Sequence, residues 1–304
     1  DKVIDLPNKL NKSRKMIADE KTHILYYPEI GMEDLVYFLS FSRSAPLQIM
    51  GWGHPITSGV PNIDVFLSVE DMETYEAQEH YSEKLIKLKE LSICVKKPAL
   101  TSKSPDGKVF GIDPEKKAYL CAQSLFKIHP DFDSIIHELL QKDSNGIVYF
   151  LTLYSKPDEY FLNRLEKKIG ENIQRVKIIN RVYSSAFTEL LKCADVLLDI
   201  PHWSGGKTTL ESLAVGTPVV HLPGEFMRGR HTLAFYKKIE VLDCIAETPS
   251  EYVDIAFKLA NNNSFRNTVR NKILESVDNL FENKKSIDEM SEVFERLILD
   301  KLNL

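Results

Sequence analysis

Residues 205–209 read Gly-Gly-Lys-Thr-Thr, which places two glycines, a cation and two hydroxyls on consecutive positions. Glycines let a backbone approach a ligand closely, and the free N–H groups and positive dipole end of a helix start favour an anion. Lys207 adds a full charge, and Thr208 and Thr209 add donors in the first helical turn. The run resembles the end of an ATP-binding loop, but the position that should hold that loop's opening glycine is Pro201. Proline cannot take a positive φ and has no N–H to offer a phosphate, which argues against the ATP loop. A tight strand-to-helix turn capped by threonine would explain one glycine and one threonine only. Phosphate binding is the chemistry that uses the whole run.

Such a loop has to leave a strand and enter a helix. Residues 146–153, 176–182, 195–200 and 217–222 are apolar, β-rich runs. Between them, 158–170, 184–194 (with Ser at its cap) and the short TTLESLAV have helical spacing. Wholly apolar strands alternating with amphipathic helices predict a parallel sheet covered on both faces, a Rossmann-like domain with ligands at the carboxyl ends of its strands. The first hundred residues show fewer such units. Strands within 21–32, 45–55 and 63–69, and a helix in EDLVYFLSF, predict part of a second α/β domain. The polar cluster at 101–111 reads as the linker, and the chain from Ser250, a helix cap, reads as helical. The expected division is a partial N-terminal domain over 1–105, a C-terminal domain over 106–280 and a helix over 281–304.

Composition bounds the function. The 304 residues are 43% apolar and 27% charged, ordinary for a soluble globular chain of two domains. A formal charge of −5 argues against a broad nucleic-acid surface. No apolar run approaches the ~20 residues of a membrane span, and no signal-peptide pattern opens the chain. Cys94, Cys121, Cys193 and Cys244 lie far apart without CxxC pairing and read as buried thiols of a reducing, cytoplasmic protein. The chain opens on Asp1 rather than Met, as a processed piece of a longer protein would.

The stretch ADVLLDIPHWSGGKTTLESLAVGTPVVHLPGE (194–225) resembles the nucleotide-sugar motif of the O-linked N-acetylglucosamine transferase and SPINDLY family. The resemblance continues through SRSAPLQIMGWGHPITSGVPNIDVFLS (42–68), YSEKLIKL (81–88), QSLFKIHPD (123–131) and EYVDIAFKLANN (251–262). Gly-His-Pro at 53–55 is similar to the cytoplasmic N-glycosyltransferases that modify bacterial adhesins. The likeness spans roughly residues 20–275. It implies a GT-B fold, two Rossmann-like domains facing a cleft with the donor held mainly by the C-terminal one. The family's helical repeats and much of its first catalytic domain have no counterpart here, so the N-terminal domain reads as incomplete.

The resemblance implies transfer of GlcNAc or glucose from a UDP donor to a protein side chain, with inversion. A departing diphosphate needs fixed positive groups or a metal. Asp131-Phe132-Asp133 has the letters of a metal motif, but it follows His129-Pro130 at a helix start, where carboxylates suit the dipole. No metal or other cofactor is therefore expected. Lys127 stands at the family's phosphate lysine, with Ser124 where the family has Gln and Lys207 where it has His. Thr208 and Thr209 match directly, alongside Ser204, Gly205 and Gly206 of the small-residue loop. Ser212 occupies the family's ribose-binding Asp position, and Glu211 beside it is the candidate to take over the ribose hydroxyls, although a one-residue step turns a helical side chain by ~100°. Val182 is expected to read the base edge through its backbone, and Phe187 either stacks on the base or joins the core. His54 is assigned to the acceptor or sugar, with Glu29 as a second base candidate. His202 and Trp203 line the sugar or, for Trp203, join the core; Arg228 and Arg230 face the donor or solvate a helix start. Two rivals stay open: a glycan- or lipid-directed GT-B transferase, and a catalytically degenerate nucleotide-sugar-binding module.

Overall fold

A computed structural model describes residues 2–100, 106–152, 159–180 and 182–302. The chain divides into two compact units, one formed by Asp1–Cys94 with Asn283–Leu304 and the other by Val95–Glu282. Residues 101–105 of the expected linker lie outside the described residues, and 107–110 form a short 3-10 turn.

The first unit holds α1 (Leu10–Asp19), β1 (Ile24–Tyr27), α2 (Asp34–Ser40), β2 (Leu47–Met50), β3 (Val65–Val69) and β4 (Lys84–Leu88). Its four strands are parallel in the order β1-β2-β3-β4. Every residue of β2 and β3 is buried, as expected for central strands covered on both faces. Two motifs meet at Glu83, which is buried. Its carboxylate accepts from the Ser58 N–H at 2.8 Å and the Thr57 hydroxyl at 2.7 Å, tying the Thr-Ser-Gly loop to Tyr-Ser-Glu-Lys-Leu.

The second unit holds β5 (Lys117–Cys121), α3 (Asp131–Lys142), β6 (Gly146–Leu151), α4 (Glu159–Ile169), β7 (Val176–Ile179), α5 (Ser184–Cys193) and β8 (Val196–Leu198). It continues with α6 (Lys207–Ala214), β9 (Val219–Val220), α7 (His231–Lys238), α8 (Pro249–Asn261) and α9 (Asn263–Ser276). The five strands are parallel in the order β7-β6-β5-β8-β9. Strand order reverses between β5 and β8, and it is outside the carboxyl ends at such a reversal that α/β sheets bind ligands.

The last helix, α10 (Lys284–Leu302), returns to the first unit. Val293 and Leu297 pack with Leu47, Ile49, Val65, Leu67 and Leu88. The Glu289 carboxylate accepts from the N–H groups of Lys89 and Glu90 at 2.9 and 2.8 Å. The helix expected over 281–304 thus packs on a sheet about two hundred residues earlier.

Three local readings are corrected. Helix α8 is capped by Thr248, whose hydroxyl accepts from the Glu251 N–H at 3.2 Å; Ser250 is already inside the helix, after Pro249 in the first turn. Helix α5 opens at Ser184 with Tyr183 as its N-cap residue. Of the four cysteines, only Cys121 and Cys244 are buried, and Cys94 is exposed. No helix among the described residues is long and apolar enough to cross a membrane.

Candidate functional site

At the strand-order reversal the second unit opens a cavity of about 470 Å³. Gln123, Ser124 and Lys127 reach it from the turn after β5, and Leu151 and Thr152 from the end of β6. Val182, Tyr183 and Phe187 form a third side, and Lys207, Thr208 and Glu211 come from the first turns of α6. Seven expected residues therefore meet in one cavity: Ser124, Lys127, Val182, Phe187, Lys207, Thr208 and Glu211.

Lys127 ends the 3-10 turn Leu125–Lys127, whose backbone is closed by the Lys127 N–H donating to the Ser124 carbonyl at 2.9 Å. Its ammonium lies 5.0 Å from the centre of the Trp203 ring, so Trp203 acts as a wall for the lysine. Burial pushes the Lys127 pKa down, because the charged form has lost water. An anion arriving there would restore that charge's partner. Lys207 is the opposite case: its side chain is 81% exposed, 3.8 Å from Glu211 one turn on. Burial raises the Glu211 carboxyl, and Lys207 partly offsets this. Ser212 is fully buried and donates to the Thr217 carbonyl at 3.0 Å. The one-residue step thus decides which side chain faces the cavity, and it is Glu211.

Residues 204–206 and 209 form the loop's frame rather than the cavity lining. The Ser204 hydroxyl donates to Asp199 at 2.7 Å, and the Gly205 N–H donates to the other oxygen of the same carboxylate at 2.8 Å. The Thr209 hydroxyl is buried, 2.9 Å from that of Thr232, which itself donates to Asp199 at 2.7 Å. Thr209 thus turns its side chain inward, unlike Thr208. A Cβ at Gly205 would come within 2.8 Å of both Gln123 Nε2 and Thr208 Oγ1. Glycine at 205 is thus required for space, whereas a Cβ at Gly206 would meet nothing within 4 Å.

Three participants escaped the sequence reading. Gln123, one residue before Ser124, donates through Nε2 to Thr208 Oγ1 at 3.1 Å, so an amide stands one position from the place where the family has Gln. Tyr183, 78% exposed, is a second aromatic beside Val182 on the wall that holds Phe187. Asp199, at the end of the Leu-Asp-x-Pro run, is the buried hub of the loop and also takes a hydrogen bond from His221 Nδ1 at 2.8 Å. Burial opposes its ionisation, but the bonds from His221, Thr232 and Ser204 outweigh this and hold its pKa below the usual range.

Other candidates lie apart from the cavity lining. The letters Asp-x-Asp divide: Asp133 is buried against Arg164, whose Nε and Nη2 donate to its two oxygens at 2.8 and 2.9 Å. Asp131 is exposed, 2.8 Å from His202 Nε2. Arg230 donates to the Gly224 carbonyl at 2.8 Å and Arg228 stacks 4.4 Å from the Phe226 ring centre, so both brace the turn before α7. His54 belongs to the first unit, on the loop after β2, with its ring against Gly31. Glu29 accepts from the Met32 N–H at 2.8 Å and closes the neighbouring turn.

Beneath the loop, His231 is fully buried, and loss of water lowers its pKa from 6.5 to about 4. The folded state therefore refuses a proton that the unfolded chain accepts below pH 6.5. Stability is unaffected above 6.5, falls as pH drops from there, and the loss is complete below about 4. At 1.36 kcal/mol per pKa unit the loss approaches about 3 kcal/mol. Urea unfolding at pH 7 and pH 4.5 should show most of it, and a His231→Phe variant should have a flatter profile over that range.

The sequence profile of glycosyl transferase family 41 matches residues 105–290. The chain is similar to the probable UDP-N-acetylglucosamine–peptide N-acetylglucosaminyltransferase SPINDLY of Hordeum vulgare, 25% identical over 244 residues, covering 77% of this chain and 25% of that protein. It is also similar to a processive diacylglycerol beta-glucosyltransferase of Staphylococcus epidermidis, 29% identical over 168 residues, covering 54% of this chain and 40% of that one. Among solved structures, an O-GlcNAc transferase mutant of Thermobaculum terrenum superposes with a TM-score of 0.83 at 20% identity, over 98% of this chain and 57% of that one. That likeness is one of fold, two Rossmann-like units of the GT-B type with a helical C-terminal region. The chain thus spans about a quarter to two fifths of the length of these curated relatives. With the profile covering well over half of its residues, the chain belongs to glycosyl transferase family 41.

Proposed function

We propose that this chain is an inverting, metal-independent glycosyltransferase that moves GlcNAc or glucose from a UDP donor to a protein side chain. The observation that carries this reading is the cavity at the strand-order reversal, where Lys127, Lys207 and Thr208 converge beside the start of α6. Breaking the bond between sugar and diphosphate places charge on the leaving oxygen, and fixed cations and donors stabilise it without rearranging. In this reading Lys127 and Thr208 hold the diphosphate, with Lys207 adding long-range attraction. Glu211 takes the ribose hydroxyls, while Phe187 and the Val182 backbone hold the base. We assign the acceptor proton to His54. The family membership supports the reaction class, and the SPINDLY relative's name supports a UDP-GlcNAc donor and a peptide acceptor.

The test is turnover of labelled UDP-GlcNAc and UDP-glucose with a candidate polypeptide, with and without EDTA. Transfer that survives chelation is the expected result. Loss of transfer on chelation would overturn the metal-free chemistry, and UDP binding without transfer to any acceptor would favour a binding module. Transfer to a diacylglycerol but not to polypeptide would favour the lipid-directed reading that the Staphylococcus epidermidis relative suggests.

A further inference from the structure

His129, Asp131 and His202 bring three metal-ligating side chains together on the second unit, outside the donor cavity. His129 and Asp131 flank Pro130 at the entry to α3, and His202 comes from the loop between β8 and α6. His202 Nε2 is 2.8 Å and His129 Nδ1 is 3.3 Å from the same oxygen, Asp131 Oδ2. All three ligand atoms fall within 4.8 Å of one another, and the two imidazoles meet edge to face with centres 4.7 Å apart. Zinc bonds to nitrogen and oxygen near 2.0–2.2 Å place tetrahedral ligands about 3.3 Å apart. The three atoms are thus within a small side-chain rotation of enclosing an ion. All three residues are exposed, so solvent can reach the remaining positions. His202 has φ 69, a left-handed backbone that a residue with a Cβ adopts at a cost, and its ring is the one that meets Asp131.

We propose that His129, Asp131 and His202 form a site for a divalent transition metal of the zinc class. Two imidazoles and one carboxylate suit zinc, cobalt or nickel and discriminate against magnesium and calcium, which prefer all-oxygen shells. The ion fastens the loop bearing His202 to the start of α3. It also sits between the neighbours of the Lys127–Trp203 pair: Lys127 lies two residues before His129 and Trp203 directly follows His202. None of the three ligands lines the donor cavity, so the ion is a clasp and takes no part in sugar transfer. The clasp stands on its own geometry and does not depend on the transferase reading.

Cobalt(II) titrated into the full chain, in a Cys94→Ser background that removes the exposed thiol, should give a saturable visible band at one equivalent. Zinc should displace it, whereas magnesium and calcium should not. His129→Ala and His202→Ala should each weaken binding about tenfold or more, since each removes one of three ligands. Circular dichroism checks that the variants fold, and cobalt broadening of both imidazole NMR resonances in the chain with intact ligands tests the site without altering it. One-equivalent binding that survives either histidine variant, an absence of saturable binding, or broadening of other histidines alone would overturn the proposal. Cobalt spectra are read without donor or acceptor, so they fail or succeed separately from the turnover assay.

Discussion

Replacing Lys127 with alanine is expected to lower sugar transfer by about 10²–10³-fold, the range found when one preorganised stabiliser of a developing anion is removed. The reason is placement. Lys127 is half-buried against Trp203 and its pKa is already lowered by lost water, so its charge acts through a medium less screening than bulk solvent. Lys207, on the same cavity, is 81% exposed and screened, so Lys207→Ala should cost less than about tenfold. UDP affinity by calorimetry and single-turnover rates with saturating donor separate the two contributions. Lys127→Arg keeps the charge but changes its shape, and should recover affinity better than rate. Equal losses at the two lysines would mean that burial does not set their strength, and a silent Lys127→Ala would remove Lys127 from the site.

How much of this was readable beforehand depended on range. Strand β6 is buried along almost its whole length and appears in the sequence as an unbroken apolar run, which a two-sided parallel sheet demands. Strand β4 escaped as a strand: Lys84 and Lys87 are exposed on this edge strand, and the mixed pattern of Lys-Leu-Ile-Lys-Leu hides its geometry. Helix α10 was legible as a helix, but a helical pattern carries no information about which sheet Val293 and Leu297 cover. The same limit applied at the site. Lys207 and Thr208 were visible because a glycine-bearing loop at a helix start exposes its chemistry locally, whereas Lys127 was reached only through the family resemblance of QSLFKIHPD. Thr209 looked equivalent to Thr208, yet its partner Thr232 lies 23 residues away, and only that contact turns it inward. Gln123 was missed by a single position: it lines the cavity beside Ser124, and what gives it a place is its bond to Thr208, 85 residues away in sequence.

Asp199 shows the deepest case of hidden chemistry and leads to the second large effect. Its carboxylate is buried and receives hydrogen bonds from Ser204, Gly205, Thr232 and His221, all between 2.7 and 2.8 Å, while its carbonyl takes one from the Tyr252 hydroxyl at 2.8 Å. An ionised carboxylate only accepts, so each of the four carboxylate partners must donate, including the Nδ1–H tautomer of His221. Asp199→Ala removes the acceptor shared by those four donors, leaving the Gly205 N–H and His221 without it and the Ser204 and Thr232 hydroxyls only each other and Thr209. The loss of folding stability is expected to be about 3–5 kcal/mol, the range for breaking a buried charged pair from one side. Asp199→Asn keeps the volume but offers one acceptor oxygen and points N–H groups at existing donors, so it too should destabilise. The sign of the pH dependence follows from the lowered pKa: the contribution is present above the unfolded value of 3.8 and is lost as pH falls through the folded one. The loop bearing Gly205 depends on this carboxylate, so donor affinity should fall together with stability at temperatures where the variant remains folded. Urea titration and UDP calorimetry on the same samples check both. Unchanged UDP binding in a folded Asp199→Ala chain would show that the phosphate loop holds its shape without its buried anchor.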